Sequence, residues 1–129
     1  MARFMTGFSA QTYALLRIVA GFMFLWHGMQ KLFGYPGGPL AGVPAFITYI
    51  AGPIELLGGI LVMLGLFTRW AAFFCSGLMG FAYWMGHGTR ALLPALNDGE
   101  LAALYCFVFL LIAAQGPGIW SIDCKRRNA

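Results

Sequence analysis

The chain has 129 residues, 60% of them hydrophobic and only 9% charged, with a formal net charge of +4 and a mean hydropathy of +0.78. Soluble domains carry about 25% charged residues, so an ordinary water-soluble globule is excluded and a lipid bilayer is the expected partner. The eight basic residues are scattered or terminal and form no stripe able to track phosphates, which excludes nucleic acid.

The first apolar stretch, 13–33, contains Arg17, His27 and Lys31. It exceeds the length of a signal-peptide core and carries charges within it, so it is read as a retained spanning helix. Gly34-Tyr35-Pro36-Gly37-Gly38-Pro39 breaks the chain after it. The second stretch, 44–66, holds Glu55, the only acidic residue before Asp98. Gly65-Leu66-Phe67-Thr68-Arg69 reads as a tight turn into the third stretch, 70–87. A longer loop closes at Asn97-Asp98-Gly99, and Glu100 opens the fourth stretch, where a helix dipole favours an acid. That stretch, 100–116, ends in Gly116-Pro117-Gly118, and 121–129 is read as a basic cytoplasmic tail with Lys125, Arg126 and Arg127.

The expected fold is therefore an all-α membrane protein: one domain over 1–129, a four-transmembrane-helix bundle. With both termini cytoplasmic, the inner side holds Arg3, Arg17, Arg69, Lys125, Arg126 and Arg127, against Lys31 and Arg90 outside. That asymmetry predicts an N-in, C-in multi-pass protein of a bacterial inner (plasma) membrane. His27-Gly28-Met29-Gln30-Lys31 is echoed by His87-Gly88-Thr89-Arg90-Ala91, suggesting two helical-hairpin repeats.

Glu55 is the costliest side chain in the sequence, since an ionisable group in a bilayer is worth roughly 2.5–3.5 kcal/mol against insertion. Helical spacing puts it on a face with Ala51, Gly52, Gly58 and Gly59, small residues that admit a neighbouring helix. The cations that can answer it, Arg17, His27 and Lys31, all lie on the first stretch. Aligning the outer ends of the two stretches places Glu55 roughly 9 Å from the level of His27 and about 6 Å from Arg17, leaving both within reach. Two roles stay open: a buried ion pair that fixes helix register, or an intramembrane pocket for a small ligand. Arg69, His87 and Glu100 are secondary candidates.

Cys75 and Cys106 fall in apolar helices, where cysteine packs as a small hydrophobe, and with Cys124 they form no paired-thiol motif. No metal is expected. His27 and His87 near the outer ends of alternate stretches have the layout of bis-imidazole haem ligation, but a single pair is thin support and haem is not expected. Phosphate-loop, HExxH and GxSxG motifs are absent.

The chain resembles the DoxX family of small four-span membrane proteins. The resemblance is carried by Arg17-Ile18-Val19-Ala20-Gly21, Gly28 to Gly34, Glu55-Leu56-Leu57-Gly58-Gly59, and Leu64 to Ala72. It continues through Asn97-Asp98-Gly99-Glu100 and Gly116 to Asp123. It implies a small subunit near quinone or sulfur redox chemistry, with a quinone as candidate cofactor and an oxidoreductase protein or a second copy as candidate partner. It transfers no catalytic set: Arg17, Lys31, Glu55, Arg69, Glu100 and Asp123 are candidates for structural or pocket roles. The alternatives are a non-enzymatic anchor or assembly partner for an oxidoreductase, and a small transporter-like protein.

Overall fold

The computed structural model describes residues 3–129, so the first two positions of the expected domain lie outside the described residues. Among the described residues every regular element is helical. A short 3-10 turn, Thr6–Phe8, leads into α1, Ser9–Phe33, which stops where Gly34 turns left-handed and donates its N–H to the Gln30 carbonyl. α2, Gly52–Leu64, follows a π turn at Ile47–Ala51. α3, Thr68–Tyr83, runs on into a second π turn at Trp84–Gly88. The short α4, Pro94–Asn97, precedes α5, Glu100–Gln115, and α6, Ile122–Asn128, closes the chain.

The second apolar stretch is thus not one regular helix from its proline start. Pro53 has no N–H to give and its ring crowds the carbonyl four residues earlier. The turn before it widens, and the Gly52 N–H reaches back five residues to the Ile47 carbonyl. The 121–129 segment also departs from a plain tail. Ser121 is a buried N-cap whose hydroxyl accepts from the Cys124 N–H, and the basic residues ride on a formed helix.

The helices pack as two antiparallel pairs, α1 with α2 and α3 with α5, joined through α2 and α3. The first pair meets backbone to backbone. A Cβ on Gly21 would fall 2.5 Å from the Met63 nitrogen, and one on Gly59 would fall 2.7 Å from the Leu25 nitrogen. The core between the pairs is aromatic: Phe24 and Phe109 ring centroids lie 4.7 Å apart, and Tyr105 stacks on Phe109 at 5.6 Å.

Outside this core the surface is that of a protein in lipid. Leu15, Val19 and Phe22 on α1, Phe73 and Phe74 on α3, and Leu104 and Phe107 on α5 are all exposed. Contiguous apolar exposure of this extent has no place on a soluble monomer. Two helical runs, Thr6–Phe33 and Ile47–Leu64, are long and apolar enough to cross a bilayer, and Glu100–Gln115 is a shorter apolar helix.

Candidate functional site: two polar layers in an apolar bundle

The ionisable side chains of the helices fall into two layers, one toward each end of the bundle. Toward the end that carries both termini, Arg17 is fully buried on α1. Its Nη1 donates to the Val62 and Met63 carbonyls at 2.8 Å each, and its Nη2 to the Trp120 and Ile119 carbonyls at 2.8 and 3.3 Å. The last carbonyls of a helix have no partner within it, and a cation there also meets the negative end of the dipole. Arg17 therefore caps α2 and ties it to the segment entering α6.

Arg69 does the same for α5, its guanidinium donating to the carbonyls of Ala113 at 2.8 Å and Ala114 at 2.6 Å. Tyr13 adds its hydroxyl to the Gly116 carbonyl at 2.6 Å. Asp123 completes the layer: its carboxylate accepts from the Phe67 N–H, the Thr68 N–H and the Thr68 hydroxyl at 2.8 to 3.0 Å. It is an N-cap for α3 supplied by another helix.

Partial burial pushes the Asp123 carboxyl up, but the Thr68 and Phe67 donors, with Arg126 nearby, outweigh it and hold it below the ordinary carboxylate range. A carboxyl lowered by folding stabilises the folded state fully above its unfolded value near 4, and that contribution is lost as pH falls through the folded value. The α6 clamp is accordingly expected to be constant at neutral pH and to loosen below about pH 4. Asp123→Asn should remove this acid dependence and cost about 1 kcal/mol at pH 7, the usual worth of a cap, read by thermal unfolding across a pH series. An unchanged acid profile in Asp123→Asn would assign the loosening to another group.

The other layer is built on Glu55. Its side chain is 4% exposed and its carboxylate meets Lys31 Nζ at 2.7 Å, the only ion pair among the described residues. The pair corrects the alignment drawn from stretch ends, which brought Arg17 or His27 to Glu55. Register is set by the glycine contacts, not by where apolarity begins. Gly28 lies on the backbone of Gly52 and Leu56, and Gly21 on that of Gly59 and Met63. In that register Glu55 is nearly level with His27, and Arg17 lies about 15 Å further along α1. Lys31, one turn above His27, passes its stem over Gly52 and reaches down to the carboxylate.

Around the pair, His27 stands edge-on to Tyr105 with ring centroids 6.0 Å apart. Tyr105 is 6% exposed and its hydroxyl has no hydrogen-bond partner. The buried Cys75 thiol packs against Gly58, one turn along α2 from Glu55. Tyr105 is the residue sequence reasoning missed. The available signal was its standing as the one tyrosine in an otherwise apolar helix, Glu100–Gln115.

The secondary candidates are not brought to this layer. Arg69 caps α5. His87 Nδ1 is hydrogen-bonded to the Asn97 carbonyl at 2.8 Å, and Glu100 is exposed in the first turn of α5. No cluster of three His, Cys, Asp or Glu side chains suited to a metal occurs among the described residues. Two open hollows of about 480 and 460 Å³ lie at the end of the bundle carrying the termini, away from Glu55.

The sequence model of the DoxX family matches residues 12–88, a span that contains Arg17, the glycine-packed α1/α2 pair and the Lys31–Glu55 layer. The chain belongs to the DoxX family. It is 41% identical over 120 residues to a Haemophilus influenzae protein named "Uncharacterized protein", covering 87% of this chain and 88% of the relative. A Bacillus subtilis relative named "Putative oxidoreductase CatD" is 43% identical over 115 residues, covering 84% of this chain and 82% of the relative. Escherichia coli "Inner membrane protein YqjF" is 30% identical over 116 residues, covering 83% and 85%. No solved structure matches this DoxX chain.

Proposed function

We propose that this DoxX protein is a four-span inner-membrane subunit that binds a small amphipathic carbonyl compound of the quinone type at the Lys31–Glu55 layer. The observation that carries the reading is the Tyr105 hydroxyl, buried without a partner on a ring that meets His27, which is level with the buried ion pair. An unpaired buried hydroxyl costs about 1–3 kcal/mol, which a ligand carbonyl accepting from it would recover. His27 and the Lys31 ammonium supply further donors at the same level of the bundle.

Reduction of such a ligand consumes protons as well as electrons. Glu55, Lys31 and His27 are the groups able to hold and deliver protons here, while electrons are assigned to a partner oxidoreductase. The name of the Bacillus subtilis relative supports redox work in the family, and that of the Escherichia coli relative supports the inner membrane. The four-span reading draws support from the two long apolar runs and from α3, which with its π turn extends over Thr68–Gly88. The excess of Lys and Arg at the end carrying the termini supports N-in, C-in.

Glu55→Gln tests the reading. In the purified, lipid-reconstituted protein it should leave helix content intact and weaken binding of a short-chain quinone analogue about tenfold or more, because it releases Lys31, the charged donor that the carboxylate holds at this layer. Tyr105→Phe should weaken it as well. Unchanged binding in both variants, with only a lower melting temperature, would mean that the pair serves register alone.

A further inference from the structure

A second site, independent of the Glu55 layer, opens where α1 begins. A cavity of about 480 Å³ lies between the first turns of α1 and the segment around α6, with Ser9, Tyr13, Gln115, Arg127 and Asn128 in its wall. Along α1 it meets a second hollow of about 460 Å³, which shares Ser9 and Tyr13 and continues over Met5, Thr12 and Leu16. Both volumes are in the range of small-molecule sites. About 27 Å of helical rise separates Tyr13 from Lys31, so neither hollow reaches the ion pair.

The two hollows differ in chemistry. The first carries a guanidinium and no carboxylate in its wall. Asp123, the nearest acid in sequence, is taken up by Phe67 and Thr68, and Arg127 has no carboxylate partner among the described residues. Arg126, next to it in sequence, points elsewhere, over the Phe67 ring at 5.9 Å. The second hollow is apolar and runs onto the lipid-facing side of α1, beside the exposed Leu15 and Val19. Phe4, Met5 and Phe8 are exposed at the same end.

A cationic head-group position that continues into a shallow apolar groove on a lipid-facing helix suits one ligand class. We infer that the joined hollows seat an anionic phospholipid, its phosphate at Arg127 and Asn128 and one acyl chain along Thr12 and Leu16. The walls are held in place before any ligand arrives: Tyr13 is fixed to the Gly116 carbonyl, and α6 is clamped through Asp123 and capped by Ser121. A preformed site loses little entropy on binding. Basic pockets at the cytoplasmic ends of spanning helices recognise anionic lipids for the same electrostatic reason.

Native mass spectrometry of the detergent-solubilised full chain tests this with phosphatidylglycerol and phosphatidylcholine of equal chain length. Wild type should retain one phosphatidylglycerol at about fivefold lower lipid concentration than phosphatidylcholine, the effect of one cation near an anionic head group. Arg127→Gln should abolish that preference. Lys125→Gln, on the same helix but outside the cavity wall, should leave it intact. Ser9→Trp, which fills the shared wall, should reduce retention of both lipids. All three positions are exposed, so the variants should fold, with circular dichroism as the check. Equal retention of the two lipids by wild type would overturn the proposal. So would equal effects of Lys125→Gln and Arg127→Gln, which would mean diffuse surface charge. Displacement of bound lipid by glycerol phosphate at matched concentration would overturn the acyl-chain half by making this a head-group site alone.

Discussion

Lys31→Met is expected to destabilise the folded chain by about 3 kcal/mol, whereas Lys31→Met combined with Glu55→Leu should return to within about 1 kcal/mol of wild type. The single change leaves the buried Glu55 side chain, 4% exposed, with no counter-ion in a contact made of glycine backbone. Breaking a buried pair by removing one partner costs about 3–5 kcal/mol, and the lower end applies because the Lys31 side chain keeps 16% of its exposure. Replacing both partners removes the desolvation cost together with the attraction, so the double variant recovers. Equilibrium unfolding in mixed micelles, run as a double-mutant cycle, measures the coupling directly. A cost below about 1 kcal/mol for Lys31→Met would show the pair to be solvated and of little structural worth. The double variant also separates stability from function: on the ligand-binding reading it is folded and no longer binds a quinone analogue.

The helices at 13–33 and 100–116 were legible because apolar runs bounded by Gly34 and Gly116 are what a spanning helix looks like in sequence. Glycines three, four and minus three residues from Glu55 also marked its face as a helix contact. The partner was not legible. Run ends report where the chain becomes apolar, whereas register is decided by which backbones touch, and Gly28 against Gly52 is a contact between segments that no local pattern displays. Arg17 misled for a related reason. A sequence shows every carboxylate that can answer an arginine but none of the orphan carbonyls at a helix end, and four carbonyls hold Arg17. The last segment reads as a charge run until Ser121 is weighed as an N-cap and Asp123 as a cap for a different helix.

The two helix pairs share a device without sharing a register. In each, an arginine on the first helix closes the carbonyl end of the second: Arg17 for α2, Arg69 for α5. Yet Arg17 sits two turns inside α1, while Arg69 is the second residue of α3. The His27 and His87 echo does not superpose the two arginines, so common physics at a helix end explains the device as well as common descent does. The last carbonyls of a helix have no partner within it, and an arginine on the partner helix supplies several donors to them at once.

Gly28→Ala is expected to cost about 3 kcal/mol or more, although it adds a single methyl group and favours the helix by propensity. The new Cβ would fall 2.6 Å from the Gly52 carbonyl oxygen and 2.8 Å from the Leu56 Cα. Those are backbone atoms of an intact helix and cannot rotate away, so α1 and α2 must separate along the contact that small residues exist to permit. Lys31 lies one turn from Gly28 and would be drawn off Glu55 by the same movement, coupling the steric cost to the ion pair. Gly77→Ala is the internal control. Gly77 is an exposed mid-helix residue of α3 with nothing within 4 Å of the added Cβ, so alanine there should gain about 0.5–1 kcal/mol. Thermal unfolding of the two variants in one detergent should therefore move in opposite directions. Equal melting temperatures for wild type and Gly28→Ala would mean that the helices do not meet at Gly28, and the register that pairs Lys31 with Glu55 would go with it.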